Sequence, residues 1–328
     1  MSLKKYVIKR SLEMIPLLFG IILINFLILH AAPGDPLSYL TSTGEDVSPE
    51  YRAVLMSRYG LDKPLHIQFI LYLGQIVRGN LGVSYRWNQP VLHIILERAP
   101  ATLLLMGTSF ILSVIIGVLL GIRASLKAYS LSDNLIMSFS LIGFSIPVFW
   151  YALMMIILFS LYLGWLPTQG MQTLIVDYTG FAYVLDVLKH LVLPVSTISF
   201  ASIAGYARLT RASMLEVLRK DFITTAWSKG ISSRRVYFQH AFKNAILPVI
   251  TVVGLNMGFL LTGATLTESV FGWPGLGRLM LESIYTRDYP LLMGNMIIVS
   301  TVVVISTLIT DLLYSCLLYT SPSPRDRS

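Results

Sequence analysis

The chain has 328 residues, of which 55% are hydrophobic and only 13% are charged, and its mean hydropathy of +0.69 excludes an ordinary soluble globular domain. The net charge of +8 comes from basic residues beside apolar runs rather than from a separate basic domain, which argues against nucleic-acid binding. The single cysteine, Cys316, excludes an internal disulfide and a cysteine-cluster metal site.

Six apolar runs are each long enough to cross the hydrocarbon core of a bilayer, which takes about 20 helical residues. Pro147 interrupts the third run, so we expect a tilted or kinked helix there. The first run is too long for a signal peptide, and no small-residue cleavage motif follows it. The sequence predicts an all-α integral membrane protein whose six transmembrane helices are residues 11–31, 100–121, 134–163, 190–207, 246–266 and 291–316.

Basic residues mark one side of these spans. They occur in residues 1–10, after the second span at Arg123 and Lys127, and between the fourth and fifth spans, where residues 208–245 carry eight Lys or Arg and two acids. The positive-inside rule puts these segments in the cytoplasm, so both termini are predicted to be cytoplasmic. Residues 32–99, whose charges balance, are predicted to lie on the periplasmic or extracellular side.

Within the basic loop 208–245, residues 221–228 are predicted to form a short amphipathic helix. Lys229-Gly230 ends it, because glycine readily takes the left-handed conformation that terminates helices. A short cytoplasmic helix held between two spans is suited to docking into a soluble partner. The simpler interpretation is a basic loop whose charges only orient the protein.

The spacing of Thr224-Thr225-Ala226, Gly230 and Leu247-Pro248 resembles the coupling loop of ABC importer permeases. Members of that family usually carry Glu-Ala-Ala where this chain has Thr-Thr-Ala, which puts a role for an acidic first position in doubt. The resemblance implies that coupling to an ATPase involves Asp221, Thr224, Thr225, Ala226, Gly230 and Pro248.

Motifs before and after this loop extend the resemblance to residues 1–314, and it is closest to the first of the two permease subunits of dipeptide and oligopeptide importers. Asn80 departs from the usual Gly-Asp-Leu-Gly form, and residues 317–328 are expected to be an atypical, non-native or dispensable tail. The motifs lie at residues 32–36, 59–64, 79–84, 98–102, 143–150, 164–170, 191–194, 208–213, 271–277 and 287–290.

The resemblance implies a type I ABC importer permease fold, with a five-helix core over residues 100–316. It implies a non-catalytic membrane subunit that works with a second homologous permease, two cytoplasmic ATPase subunits and a solute-binding protein. ATP and Mg²⁺ would be used by the ATPases, and no cofactor or metal would be bound by this chain. The expected substrates are dipeptides or oligopeptides, with nickel or another small solute as the alternative.

The residues themselves show no catalytic chemistry. The chain has no Gly-Lys pair, so it lacks a P-loop, and its five histidines are not spaced as ligands of metal or haem. An ion-driven secondary transporter should show acids within its spans or inverted repeats with broken helices, and an integral redox subunit should show paired histidines. This chain shows neither set of signals, so both alternatives are disfavoured.

Mildly polar residues inside the spans are candidates for the translocation pathway. Small hydroxyl residues such as Ser199 and Thr251 more commonly mediate helix contact than line a cavity. Asn256 is the stronger candidate, because its amide is costly to expose to lipid and could hydrogen-bond a passing peptide backbone.

Overall fold

The computed structural model of the chain describes residues 3–31, 62–176, 178–257, 260 and 262–320, which are mostly helical. The motif at 32–36, the start of that at 59–64 and the last eight residues of the predicted tail lie outside this range. In chain order the helices are α1 (Leu3–Ala31), α2 (Leu65–Val77), α3 (Val91–Leu126), α4 (Leu131–Ser145), α5 (Val148–Tyr162), α6 (Gly180–Leu218), α7 (Asp221–Ser228), α8 (Ser233–Ala245), α9 (Leu247–Met257), α10 (Thr265–Val270), α11 (Leu276–Tyr285) and α12 (Tyr289–Thr320).

The chain divides into two units, and the first contains residues 1–100 and 275–328. Its long helices α1 and α12 pack along each other. The ring of Phe69 on α2 lies 5.7 Å from that of Phe19 and 5.2 Å from that of Phe26, both on α1. Edge-to-face aromatic packing therefore fixes α2 against α1.

The second unit contains residues 101–274 and is organised around α6, a helix of 39 residues. Helices α4, α5, α9 and α10 all contact α6. Buried residues recur along most of its length, from Val187 to Val217. Such a distribution is expected of a central helix that is covered by neighbours on several sides.

Four described helices are long and apolar enough to span a membrane, and two bent helix pairs bring the number to six if each pair is one span. The four are parts of α1 and α12 and the whole of α3 and α6. The bent pairs are α4 with α5 and α8 with α9. Each of the six predicted apolar runs overlaps one of these elements, and the predicted all-α membrane fold is confirmed.

The break in the third predicted span is larger than the predicted kink, because α4 and α5 meet at 103°. Ile146 has an extended backbone (φ −82°, ψ 126°), and so has Pro147 (φ −60°, ψ 130°), which immediately precedes α5. A proline disfavours the helical conformation in the residue before it. Pro147 therefore separates two helices rather than bending one.

Other boundaries also differ from the prediction. Helix α9 ends at Met257, before the predicted end of the fifth span at residue 266, and Gly263 takes a positive φ of 74°. The predicted loop 208–245 is largely helical, because α6 continues to Leu218 and α7 and α8 follow. The sixth predicted span ends at residue 316, whereas α12 continues to Thr320.

Candidate functional site

The short helix predicted within the basic loop is confirmed as α7, which runs from Asp221 to Ser228. Its end is a Schellman motif, in which the Gly230 N–H donates to the Trp227 carbonyl oxygen (2.9 Å) and the Ile231 N–H donates to the Ala226 carbonyl oxygen (3.4 Å). Gly230 has a φ of 70°, a conformation that favours glycine. Helix α7 therefore ends at the glycine that the sequence predicted.

One face of α7 is buried in an apolar cluster. Ile223 and Ala226, three positions apart on the helix, are 1% and 5% exposed and so lie on the same face. Helix α7 is thus fixed to both helices that flank it in the chain. The other fully buried members of this cluster, which we call the α7 cluster, are Met214 and Val217 of α6 and Val236, Ala241 and Ala245 of α8.

The rest of the α7 surface is exposed. Phe222 and Trp227 flank the buried face on its two sides and are 42% and 40% exposed, although both are large and apolar, and the Trp227 ring packs edge-on against Tyr237 of α8 at 5.8 Å. Asp221, Thr224 and Thr225 are exposed as well. Of the residues predicted to couple to an ATPase, these three face outward, whereas Ala226 faces the α7 cluster and contributes to packing.

Basic side chains are frequent before and after α7 in the sequence. Lys220 pairs with Glu216 at 3.3 Å, and the other basic residues of the segment that are exposed raise the local positive potential. They are Arg208, Arg219, Lys229, Arg234, Arg235 and Lys243.

Pro248, the last residue of the predicted coupling set, lies at the start of α9 and is exposed. Helices α8 and α9 meet there at an angle of 46°. Because proline has no N–H, it cannot donate to the carbonyl group of Asn244 and continue α8 into α9. Pro248 therefore sets the bend between the segment that holds α7 and the helix that follows.

A buried ion pair that sequence reasoning missed lies near the cytoplasmic end predicted for α6. The Arg211 guanidinium donates two hydrogen bonds of 2.6 Å to the Asp133 carboxylate, and Asp133 is 1% exposed. Asp133 also accepts the Tyr129 N–H at 2.7 Å, and Ser130 caps α4 by accepting the Asp133 N–H. The Ser-x-x-Asp pattern at the start of α4 was the available signal.

Two glycines of α3 let it cross α6 at close range. A Cβ atom at Gly117 would lie 2.5 Å from the Tyr206 Cβ atom, and one at Gly121 would lie 2.6 Å from the Ala207 oxygen. No larger residue fits without moving the helices apart. The Gly-x-x-x-Gly spacing, typical of close helix contact in membranes, could have predicted this crossing.

A cavity of about 350 Å³ lies beside this crossing region, between α4, α6 and α9. Phe144, Leu209 and Val252 form part of its apolar wall, and the Asn256 side chain is one of its polar groups. The Asn256 Nδ2 donates to the Tyr206 hydroxyl oxygen at 2.9 Å. An asparagine amide with one N–H so engaged still has a second N–H and its oxygen for another partner.

The other two predicted pathway residues do not line this cavity. Ser199 is buried, and its hydroxyl donates to the Ser109 carbonyl oxygen of α3 at 3.1 Å. Thr251 donates to the Leu247 carbonyl oxygen of its own helix at 3.1 Å. The structure supports helix contact for Ser199 and brings only Asn256 to the cavity.

In the first unit, two of the sequence motifs meet at Asp288. Its carboxylate is buried and accepts the Ser84 hydroxyl at 2.5 Å and the N–H groups of Tyr85 and Arg86 at 3.2 Å each. It also accepts the Leu291 N–H at 3.3 Å in the first turn of α12, where a negative charge is favoured by the helix dipole. The motifs at 79–84 and 287–290 are thus two parts of one contact.

A similar contact joins two motifs in the second unit. The Thr102 hydroxyl donates to the Glu268 carboxylate at 3.0 Å, and the Trp273 indole N–H donates to the Ala101 carbonyl oxygen at 2.8 Å. Glu268 and Trp273 are fully buried. Within the described residues, no group of three or more His, Cys, Asp or Glu is placed to hold a metal ion.

Family models match most of the chain. Residues 113–317 match the binding-protein-dependent transport system inner membrane component, and residues 3–106 match the N-terminal part of the same kind of membrane component.

Relatives with assigned names match over nearly the whole length. The chain is 40% identical to the di/tripeptide transport system permease protein DppB of Pseudomonas aeruginosa strain UCBPP-PA14 and 40% identical to the oligopeptide transport system permease protein AppB of Bacillus subtilis strain 168, with 94% of this chain and 96% of each relative covered. It is 42% identical to the dipeptide transport system permease protein DppB of Alkalihalophilus pseudofirmus, with 94% and 97% covered.

Proposed function

Because the chain belongs to the binding-protein-dependent transport system inner membrane components, we propose that it is the permease subunit that couples ATP hydrolysis by partner proteins to the import of dipeptides or oligopeptides. The named relatives transport di- and tripeptides, dipeptides or oligopeptides, which favours peptides over nickel. The chain contributes no catalytic residue and no cofactor site in this proposal. ATP and Mg²⁺ are used by the partner ATPases.

The observation that carries the proposal is the presentation of α7. Its inner face is buried in the α7 cluster and its end is closed by the Schellman motif, so the helix is held in a defined position. Phe222 and Trp227 are exposed on the two flanks of this buried face. Aromatic side chains on a fixed helix are suited to a groove in a partner protein, and we assign one of the two cytoplasmic ATPases as that partner.

Movement of α7 would be transmitted through its neighbours. Because α6, α7 and α8 share one buried cluster, displacement of α7 carries the end of α6 and the whole of α8 with it. The bend at Pro248 separates this block from α9, which holds Asn256 at the cavity. Rigid-body motion of the block can therefore change the width of the cavity in alternating access.

The cavity supports a pathway for peptides. With one Asn256 N–H bonded to Tyr206, the remaining amide N–H and oxygen complement the C=O and N–H of a peptide group, whatever its side chains. The apolar wall tolerates different side chains. Asn256 is therefore assigned to the pathway and Ser199 to helix contact, whereas the Thr251 hydroxyl bonds the backbone of its own helix.

The topology of the proposal follows from charge. Exposed basic residues cluster around α7, so this end lies in the cytoplasm with both chain termini. The predicted outer segment then faces the solute-binding protein. Exposed apolar side chains on α1, such as Ile8 and Ile15, contact lipid or the second permease.

A reconstitution experiment tests the proposal. The complex is purified through an N-terminal tag, its subunits are identified by mass spectrometry, and uptake of a radiolabelled dipeptide and ATP hydrolysis are measured in proteoliposomes. Recovery of two ATPases and a second permease, with uptake that requires ATP, is expected. A chain that purifies alone and transports without ATP would contradict the proposal.

Substitutions of the exposed aromatic residues of α7 test the docking assignment. The double variant Phe222→Ser with Trp227→Ser should retain membrane insertion but lose ATPase subunits, with uptake reduced about tenfold or more. Phe238→Ser is the matched control, because Phe238 of α8 is an equally exposed aromatic residue at 48%. Equal loss in both variants, or in neither, would remove α7 as the docking element.

A further inference from the structure

A short loop of the first unit, residues 82–91, is closed by its own backbone. The Val91 N–H donates to the Gly82 oxygen, the Ser84 N–H to the Gln89 oxygen and the Asn88 N–H to the Ser84 oxygen, each at 3.0 Å. Val83 and Pro90 form an antiparallel bridge across the loop. The loop therefore has little conformational freedom left to lose on binding a partner.

The loop is also fixed from beneath. Two of its N–H groups and the Ser84 hydroxyl donate to the buried Asp288 carboxylate. A side chain at Gly294 of α12 would collide with Val91 and contact Leu81. Helix α12 thus passes directly under both ends of the loop and holds it in place.

This rigid loop presents an aromatic ring between cationic groups. Trp87 is 40% exposed, and the guanidinium carbons of Arg86 and Arg98 lie 5.5 and 6.0 Å from its ring centroid, within the range of cation–π attraction. Across the described ranges of the chain, neither arginine has a carboxylate within ion-pair distance. We call Arg86, Trp87 and Arg98 the Arg–Trp cluster.

We propose that the Arg–Trp cluster is the docking point for an acidic surface of the solute-binding protein. This inference rests on the proposed function, which places the loop on the outer side. Tryptophan and arginine are the residues most enriched among those that dominate the energy of protein interfaces. Two guanidinium groups beside an exposed ring complement Asp or Glu side chains and accelerate encounter.

The neighbouring side chains favour a protein partner over a lipid surface. Asn88 and Gln89, next to Trp87 in the loop, are polar and exposed. A segment that inserts into the boundary between headgroups and acyl chains needs an apolar face. Anionic lipid headgroups, which also bind arginine, are the alternative that the experiment must separate.

The test uses the reconstituted complex and its peptide-loaded solute-binding protein, titrated while ATP hydrolysis is measured. In Arg86→Glu, the concentration of binding protein needed for half-maximal stimulation should rise about tenfold, and Trp87→Ser should raise it as well. Hydrolysis without binding protein should not change. Lys63→Glu is the control, since Lys63 is exposed and lies at the other end of α2 from the loop.

Each outcome decides between the possibilities. Equal half-maximal concentrations in Arg86→Glu and Lys63→Glu would overturn the inference while leaving the proposed function intact. An effect of Arg86→Glu that occurs in vesicles with anionic lipid but not in purely zwitterionic vesicles would overturn it in favour of lipid. Absence of stimulation in the unmodified complex would instead contradict the proposed function.

Discussion

Helix α7 and the loop 82–91 each present exposed aromatic residues on a rigid segment, but they are held by opposite kinds of interaction. The inner face of α7 is anchored by apolar packing, with Ile223 and Ala226 in the α7 cluster. The loop is anchored by one buried carboxylate, Asp288, which accepts hydrogen bonds from the segment above it. The first anchor depends on shape and volume, and the second depends on charge and hydrogen-bond geometry.

This difference has a functional meaning under the proposed assignments. An apolar cluster shared by three helices makes them move together, which suits a segment that must transmit force. A carboxylate that satisfies several N–H groups fixes one short loop to the start of α12, which suits a surface that only has to be recognised.

Removing side-chain volume from the α7 cluster should have the largest effect on stability. We expect Ile223→Ala to destabilise the packing of α7 by about 2–5 kcal/mol, because the side chain is 1% exposed. Faster tryptic cleavage after Lys220 and Lys229, which flank α7, and less peptide transported per ATP would report the loss. Phe222→Ala, at an exposed position of the same helix, should not increase cleavage, and equal cleavage in both variants would contradict the assignment of Ile223 as the anchor.

Removing the negative charge of Asp288 should have the second largest effect on stability. We expect Asp288→Asn to destabilise the loop 82–91 by about 1–3 kcal/mol. The amide NH₂ of the new asparagine is a hydrogen-bond donor, and it would face N–H and O–H groups that are donors as well. Cleavage after Arg86 should accelerate, whereas cleavage after Lys220 should not. Glu97→Gln serves as the control, since Glu97 is 59% exposed, and a loop as stable in Asp288→Asn as in this control would show that the carboxylate is not the anchor.

A matched pair of glycine substitutions would sharpen the comparison. Gly230 and Gly82 both have positive φ, 70° and 86°, and a Cβ atom would meet nothing within 4 Å at Gly230 and only the Pro290 Cβ atom at 3.7 Å at Gly82. Alanine at either position should therefore cost about 1–2 kcal/mol through backbone strain alone.

The two alanine variants should differ in function despite this similar strain. Gly230→Ala should lower the peptide transported per ATP, and Gly82→Ala should weaken stimulation by the binding protein. Thermal unfolding, uptake and ATPase assays on both variants provide the measurement. The same functional defect in both would mean that the segments do not have separate roles.

The smallest effect is expected at the position where the family usually has an acid. Thr224→Glu should change stability by no more than about 0.5 kcal/mol, because Thr224 is exposed and α7 is held by its other face. Uptake and ATP hydrolysis should stay at the level of the unmodified complex. A marked increase in peptide transported per ATP would show that the acid contributes to docking and that the packing of α7 in the α7 cluster is not sufficient.

The sequence predicted local features well because their causes are local. Helix α7 and its end at Gly230 follow from an amphipathic segment of eight residues and a glycine stop, and the apolar runs are visible in composition alone. The bend at Pro147 was predicted, but its size was not, because proline removes a hydrogen bond while packing decides where the next helix goes.

The contacts that hold the candidate sites together could not be predicted in the same way. Arg211 lies 78 residues from Asp133, and Ser84 lies 204 residues from Asp288. A single sequence contains no pattern that links residues so far apart. Ser199 was kept as a pathway candidate, although helix contact is commoner for a small hydroxyl residue, and its hydroxyl is found to bond the backbone of α3.

Because α6 is long, a small tilt of this helix moves its ends by a large distance. Its 39 residues extend about 58 Å at 1.5 Å per residue, nearly twice the thickness of the hydrocarbon core. A tilt of about 10° would swing one end by roughly 10 Å relative to the other. The α7 cluster lies near one end of α6 and the wall of the cavity lies along its length, so under the proposed function a small rotation of the α7 cluster would change the width of the cavity.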